Sequence, residues 1–176
     1  MHYPKISFLN RIYRLTWRTL GYTLIKFSPW FAFRWRVLIF RMWGAKVDWK
    51  ARIYSNVEVW SPMKLEVGAY STLSNGVKIY NIDNVTIDTK TTLSDGVFIC
   101  TATKSIDMNN RQLKTGPIHI GSETWLAANV TILPNIRIGD RVAVLYGISV
   151  FENIADDRIL KPKRNYSIIK RENIYD

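Results

Sequence analysis

One aliphatic side chain recurs at nearly every sixth position between residues 47 and 150 of the chain. All fifteen positions of this ladder hold valine, isoleucine or leucine: Val47, Ile53, Val59, Val67, Leu73, Ile79, Ile87, Leu93, Ile99, Ile120, Leu126, Ile132, Ile138, Val144 and Val150. The frame requires two steps of eight residues and one of twenty-one. A spacing of six matches neither the 3.6-residue period of a helix nor the plain alternation of an ordinary strand.

The position two residues before each ladder residue follows the same pattern. It is aliphatic in most repeats and small in the others, where Ala51, Ser71, Thr91 and Thr124 occur. Because six is divisible by two, both positions point to the same side of an extended strand. Each repeat therefore predicts a short strand followed by a turn. Three repeats per coil predict a solenoid of about five coils, roughly 25 Å tall at ~4.8 Å per strand.

Residues 1–43 have a different pattern, which predicts helices. Arg11, Arg14 and Arg18 are spaced three and four apart, as on one helical face. Ser28-Pro29 predicts the start of a second helix that runs to about Met42 and ends at Gly44. Neither helix contains the ~20 uncharged residues needed to cross a bilayer.

The net charge of +11 is concentrated in this first segment. Residues 1–46 contain nine Lys or Arg and no Asp or Glu, and residues 1–43 contain four of the seven tryptophans. Two interpretations remain open: a helical cap on the end of the solenoid, or a surface that lies against a membrane with anionic lipid. Nucleic acid is not expected as a partner, because no nucleic-acid-binding motif accompanies the charge.

The few cysteines and histidines limit the chemistry. Cys100 is the only cysteine, which excludes an internal disulfide and fits a reducing compartment such as the cytoplasm. No secretory signal peptide is recognisable. With two histidines, one cysteine and no clustered carboxylates, we expect no metal site.

Residues 101–117 are polar and interrupt the ladder, and a loop of this length in a solenoid is usually functional. It is flanked by three motifs: Cys100-Thr101-Ala102-Thr103, Gly116-Pro117-Ile118-His119-Ile120-Gly121 and Trp125-Leu126-Ala127-Ala128. With the ladder, these motifs resemble the hexapeptide-repeat acyltransferases, and most closely the colanic-acid-type polysaccharide O-acetyltransferases.

The resemblance implies a fold and an activity. The fold would be a left-handed parallel β-helix, with an N-terminal helical segment and one projecting loop, assembled as a homotrimer. The activity would be transfer of acetyl from acetyl-CoA to a sugar hydroxyl, with sites between subunits. It would also imply that a histidine directly after the Cys-Thr-x-Thr stretch acts as the general base.

This chain departs from the family at the base. Lys104 occupies the place of that histidine, and Ser105 replaces its usual acidic neighbour. A neutral imidazole accepts a proton near pH 7, whereas an ordinary lysine is already protonated there. His119, one residue before Ile120, should point outward near the base of the loop and is the other candidate catalytic residue.

The resemblance also suggests cofactor-binding residues. Trp125, Ala127 and Ala128 would line the acetyl end. Tyr146 and Gly147 lie where the family has small residues along the pantetheine, so Tyr146 should narrow that groove. A basic run that contains Lys161, Lys163 and Arg164 could hold the coenzyme phosphates.

We therefore predict a helical extension at residues 1–43, a β-helix domain at 44–152 and a C-terminal tail at 153–176. One hypothesis is a cytoplasmic O-acetyltransferase of exopolysaccharide synthesis, acting on a sugar or lipid-linked glycan, with residues 1–43 at the inner face of a membrane. The alternative is a trimeric scaffold or glycan-binding relative that kept the fold and lost the activity.

Overall fold

A computed structural model describes residues 8–104 and 113–162. Three helices come first: α1 (Phe8–Thr16), α2 (Tyr22–Lys26) and α3 (Phe33–Met42), with a π-helical turn (Trp17–Gly21) between α1 and α2. Within the described ranges, none of the helices combines the length and the apolar character that crossing a membrane requires.

The strands that follow form a triangular column with three parallel sheets as its faces. Face A contains β1 (Lys46–Val47), β4 (Leu65–Val67), β7 (Val85–Ile87), β12 (Ile118–Ile120) and β15 (Arg137–Ile138). Face B contains β2 (Arg52–Ile53), β5 (Thr72–Leu73), β8 (Thr92–Leu93), β13 (Trp125–Leu126), β16 (Ala143–Val144) and β18 (Ile159–Leu160). Face C contains β3 (Glu58–Val59), β6 (Lys78–Tyr80), β9 (Phe98–Cys100), β14 (Thr131–Ile132) and β17 (Ser149–Val150). A hairpin of β10 (Ala102–Lys104) and β11 (Leu113–Thr115) leaves the column after β9.

The predicted ladder is confirmed as the core of this column. Each of the fifteen ladder residues is at most 6% exposed. The column resumes in register after the long loop, since Ile118 pairs with Val85 and Ile120 with Ile87. The loop is therefore an insertion that leaves the stacking of coils three and four unchanged.

A column of buried hydroxyl groups explains the serine and the threonines at the second inward position. The Thr91 hydroxyl donates to the Gly121 carbonyl at 2.6 Å and accepts the Thr124 N–H at 3.3 Å. The Thr124 hydroxyl repeats this pattern with the Gly139 carbonyl at 2.8 Å and the Val142 N–H at 3.2 Å. These hydroxyls satisfy backbone groups where the chain turns from face A to face B, which an aliphatic side chain could not do.

We expect Thr91→Val to lower the free energy of unfolding by about 1–2 kcal/mol, because it leaves a buried carbonyl and a buried N–H without partners. Thermal or urea unfolding would measure the loss. Thr72→Val, on the partly exposed outer side of β5, is the matched control and should change stability by less than about 0.5 kcal/mol. Equal effects of the two variants would contradict the role given to the hydroxyl column.

The N-terminal segment lies against the first coil. The Trp17 indole is buried and donates from Nε1 to the Val59 carbonyl at 2.7 Å. Its ring packs against Phe40 and Trp43, with centroids 5.2 Å and 5.9 Å apart. The Tyr13 hydroxyl donates to the Trp43 carbonyl at 2.7 Å. These contacts cover the end of the column that would otherwise expose its core.

The second long helix begins later than the sequence predicted. We expected it to start at Ser28-Pro29, but α3 begins at Phe33 and residues 28–32 form a turn. The Arg36 guanidinium reaches back into this turn and donates to the Ser28 hydroxyl and to the carbonyls of Pro29 and Trp30. It thereby satisfies carbonyls that a helix would have paired internally. The predicted end was right, since α3 stops at Met42 and Gly44 has a φ of +85°.

The column continues beyond residue 152. Ile154 forms a bridge with Ile138, and β18 pairs with β16 in parallel. The described part of the predicted tail therefore begins a sixth coil on top of five complete ones.

Candidate functional site

The β10–β11 hairpin marks where the insertion leaves the column, at the corner between faces C and A. The Thr101 N–H donates to the Tyr80 carbonyl at 3.1 Å, and the Asp83 N–H donates to the Thr101 hydroxyl at 2.9 Å. Ala102 pairs with Thr115, and Lys104 pairs with Leu113. These contacts anchor the hairpin on the end of β6 and the turn after it, and they place the backbone of Lys104 at the third residue pair of the hairpin. Ser105 lies outside the described residues.

His119 lies on the outer side of face A, as predicted. Its Nε2 is 3.1 Å from Asp88 Oδ2, and both side chains are about one-third exposed. Its Nδ1 is enclosed and has no hydrogen-bond partner among the described residues. A general base must present an accessible nitrogen to its substrate. In this arrangement Asp88 occupies the accessible nitrogen and the other is covered.

Trp125 lies on face B, on a different side of the column from His119. It is 47% exposed, and its indole Nε1 donates to the Ser94 hydroxyl at 2.9 Å. Its neighbours in register on the adjacent strands are Thr92 and Ala143. The residues in register with Trp125 are therefore short, and one hydrogen bond orients its indole.

Ala127, Ala128, Tyr146 and Gly147 meet at the corner between faces B and C. The Gly147 N–H donates to the Ala128 carbonyl at 3.1 Å, which stacks the two turns directly. Tyr146 is 65% exposed, and its hydroxyl accepts a hydrogen bond from the Asn129 amide at 3.3 Å. The Tyr146 ring therefore reaches down over the level of Ala128.

Glycine at position 147 is explained by the backbone and not by crowding. Its φ is +71°, which a residue with a Cβ adopts only with strain, but a Cβ there would meet no atom within 4 Å. Gly121 is the opposite case, since a Cβ would come within 2.6 Å of the Gly139 backbone. The space beside Gly147 is open to a ligand.

The structure brings some predicted site residues together and keeps others apart. The Asn129 N–H donates to the Asp95 carbonyl, so the turn at Asp95 stacks on the turn that contains Ala128. The inserted loop begins at Thr101, six residues after Asp95. A turn at Asp95-Gly96 and strand β9, which crosses face C, lie between them. Within one chain, the Lys104 hairpin and the Ala128–Tyr146 corner are therefore separated by the width of face C.

The other predicted residues contribute less geometry. Lys161 is exposed just after β18, whereas Lys163 and Arg164 lie outside the described residues. In residues 8–104 and 113–162, no three His, Cys, Asp or Glu side chains cluster as metal ligands would.

Sequence reasoning missed the partners of the predicted residues. Ser94, Asp88 and Asn129 contact Trp125, His119 and Tyr146, and none of the three was among the predicted site residues. It also missed a groove of about 460 Å³ between the N-terminal segment and face C. Arg18, Tyr22, Trp60 and Tyr80 contribute to its lining, and the carbonyl of Tyr80 anchors the start of the loop. These side-chain partners and this groove depend on contacts between residues that are distant in sequence.

Comparisons with known proteins agree with this architecture. No protein-family model matches the chain. The chain is 28% identical over 165 residues to an Escherichia coli protein named colanic acid biosynthesis acetyltransferase WcaF, and the match covers 94% of this chain and 90% of WcaF.

Solved structures share the fold. A hexapeptide-repeat acetyltransferase of Vibrio cholerae, in complex with acetyl coenzyme A, superposes with a TM-score of 0.80 at 19% identity, over 90% of this chain and 86% of that one. A maltose O-acetyltransferase of Clostridium difficile gives a TM-score of 0.78 at 22% identity, over 87% and 83%. The chain is thus similar to WcaF over nearly its whole length, and it shares the parallel β-helix fold of these acetyltransferase structures.

Proposed function

We propose that the protein is an acetyl-CoA-dependent O-acetyltransferase that acts on a sugar hydroxyl in the synthesis of an exopolysaccharide or related glycan. The observation that carries this proposal is the similarity to WcaF over 94% of the chain, including the residues on both sides of the inserted loop. The acetyl coenzyme A bound to the V. cholerae protein of the same fold supports the choice of donor.

The corner between faces B and C, which contains Ala128 and Tyr146, has room for an acyl-CoA except where the Tyr146 ring lies. Ala127 and Ala128 are short, Trp125 offers a fixed aromatic surface, and the space beside Gly147 is open. Tyr146 covers part of the same corner. When bound there, the coenzyme would supply an activated acetyl thioester, and Lys161, Lys163 and Arg164 are our candidates for its phosphates.

The reaction needs a group that accepts the proton of the attacking hydroxyl and passes it to the departing sulfur. We assign this role to the position of Lys104, with His119 second because Asp88 occupies its accessible nitrogen. We infer that a neighbouring subunit supplies one of the two, because face C lies between the hairpin and the Ala128–Tyr146 corner within one chain. A homotrimer with its sites between subunits meets this requirement.

Two observations favour a non-catalytic relative as the second candidate. The place of the family's histidine is taken by lysine, and the Tyr146 hydroxyl is tied across the cofactor corner by Asn129. A scaffold or glycan-binding protein would retain the column and need neither an open groove nor a base.

Calorimetry with acetyl-CoA separates the two candidates. We expect the wild-type protein to bind, and Tyr146→Ala to bind about tenfold more tightly, because the ring no longer covers the Ala128 corner. Phe151→Ala, which also removes an exposed aromatic ring, is the matched control and should bind like wild type. Absence of binding at millimolar coenzyme in both wild type and Tyr146→Ala would leave the scaffold as the function. Weaker binding by Tyr146→Ala would make the ring a coenzyme contact and not an obstruction.

Donor and acceptor also bear on location. Acetyl-CoA is available in the cytoplasm, so we place the reaction there. A lipid-linked acceptor would bring the protein to the inner face of a membrane, and residues 1–43 are the segment proposed for this contact.

A further inference from the structure

The outer surface of the N-terminal segment exposes large apolar side chains at one end of the column. In the turn before α3, which we call the aromatic turn (residues 27–31), Phe27 and Trp30 are each 80% exposed and Phe31 is 65% exposed. Trp30 and Phe31 stack edge to face with centroids 5.7 Å apart. Isolated exposed apolar residues are ordinary, but a contiguous cluster of aromatic rings marks an interaction surface.

Helix α3 continues this surface. Trp35, Leu38 and Met42 follow at helical spacing, and all three are exposed, whereas Val37 and Phe40 of the same helix are buried against the column. The Trp35 indole donates to the Leu24 carbonyl of α2 at 3.4 Å. The two helices therefore present one apolar surface together, on the side that faces away from the first coil.

A buried arginine fixes the aromatic turn. Arg36 is fully buried, and it donates to the Ser28 hydroxyl at 2.7 Å, to the carbonyl of Trp30 at 3.0 Å and to that of Ile53 at 2.6 Å. One guanidinium thus ties the turn to the first coil of the column. These hydrogen bonds hold the backbone of the turn against the column. The rings of Trp30 and Phe31 therefore point outward and remain exposed in the folded protein.

The charge around this surface has one sign. Lys26 and Arg34 are exposed beside the aromatic turn, and Arg41 is exposed further along α3. The first acidic residue of the chain is Asp48. Aromatic rings between basic side chains suit the interface of a bilayer that contains anionic lipid, where the rings enter the headgroup region and the cations contact phosphates. A second copy of the chain would not supply the negative charge that complements this surface, because its residues 47–176 carry 16 Lys or Arg and 14 Asp or Glu.

We propose that the aromatic turn and the outer surface of α3 dock the protein on an anionic lipid bilayer, with the axis of the β-helix directed away from the membrane. The contact is peripheral and reversible, since only the outer rings and the basic side chains take part. This inference makes the suggested membrane contact specific, and it does not require that the protein transfers acetyl groups.

Flotation of the full chain with lipid vesicles tests the proposal, without sugar or coenzyme. We expect binding to vesicles of phosphatidylcholine with phosphatidylglycerol, weaker binding to phosphatidylcholine alone, and a loss of binding when salt rises from about 0.1 to about 0.5 M. Trp30→Ser with Phe31→Ser should reduce the partition coefficient by about tenfold or more, since both rings are exposed in the free protein and would be buried in the bilayer.

Matched variants distinguish binding through this surface from nonspecific binding by other exposed side chains. Phe151→Ser removes an equally exposed ring from the other end of the column, and it should float like wild type. Lys26→Gln with Arg34→Gln should reduce binding to anionic vesicles by about tenfold, whereas Arg158→Gln in the sixth coil should not.

Circular dichroism would verify that each variant is folded. Failure of the folded wild type to float, or equal flotation of wild type and the Trp30/Phe31 variant, would overturn the proposal. A change in the mass of the assembly in the Trp30/Phe31 variant, without vesicle binding by wild type, would overturn it in favour of a subunit interface.

Discussion

Replacing Lys104 with histidine is expected to raise acetyl transfer at pH 7 by about tenfold to a hundredfold. With ordinary pKa values, roughly one lysine in 2,500 is neutral at this pH, whereas about three-quarters of histidines are neutral. The lower intrinsic basicity of imidazole cancels part of this advantage but not all of it. Initial rates with acetyl-CoA and a panel of sugar acceptors would measure the difference.

The pH dependence gives a second, independent signature. If Lys104 is the base, the wild-type rate should climb about tenfold per pH unit from 7 to 9, because the deprotonated form grows in that proportion below the lysine pKa. The Lys104→His rate should instead level off above about pH 7.5. Lys114→His, an exposed lysine on the opposite strand of the same hairpin, is the matched control and should keep the wild-type profile.

Two results would count against this assignment. A wild-type rate that is already level near pH 7 and unaffected by Lys104→His would place the base elsewhere. Complete inactivity of both proteins, while each binds acetyl-CoA, would support the non-catalytic candidate.

Replacing Arg36 with methionine is expected to lower the free energy of unfolding by about 3 kcal/mol. The guanidinium is fully buried, and its hydrogen-bond partners among the described residues are neutral oxygen atoms, including the carbonyls of Trp30 and Ile53. Burial lowers the pKa of Arg36 from its usual value, because the charged form loses hydration. Methionine removes this desolvation cost, but it leaves several carbonyl groups without donors, and the second effect is the larger.

Arg34→Met on the same helix is the matched control. Arg34 is exposed, so its replacement should change the stability by less than about 0.5 kcal/mol. Unfolding should be followed at one protein concentration, since assembly would otherwise shift the midpoint. If Arg36→Met were as stable as wild type, the turn would hold its shape without the guanidinium, and the aromatic turn would lose its proposed anchor.

The ladder shows how much of the fold could be predicted from residues alone. Each repeat buries its aliphatic pair against the coils above and below, so a period of six specifies the stacking locally and repeatedly. The twenty-one-residue step between Ile99 and Ile120 was predicted as an insertion, and the register of β12 on β7 confirms it. The hand of the coil came from the family resemblance, since spacing is the same in either hand.

The start of α3 could not be predicted in the same way. Ser28-Pro29 is a good local start signal, but the carbonyls of residues 29 and 30 are taken by Arg36 from a later turn. Helix propensity reflects only residues close in sequence. The competing hydrogen bonds to these carbonyls come from Arg36, whose side chain also reaches coil one.

The candidate site likewise has features that could be predicted from the sequence and features that could not. Spacing and residue type were enough to predict the column and the place of the insertion, whereas Lys104 as the counterpart of a family histidine is what the resemblance implies and stays a prediction. The pairing of Asp88 with the His119 imidazole, the hydrogen bond from Asn129 to Tyr146 and the position of face C between this corner and the hairpin are visible only in the folded chain. Each of these relations joins different coils, so its distances depend on how the coils stack.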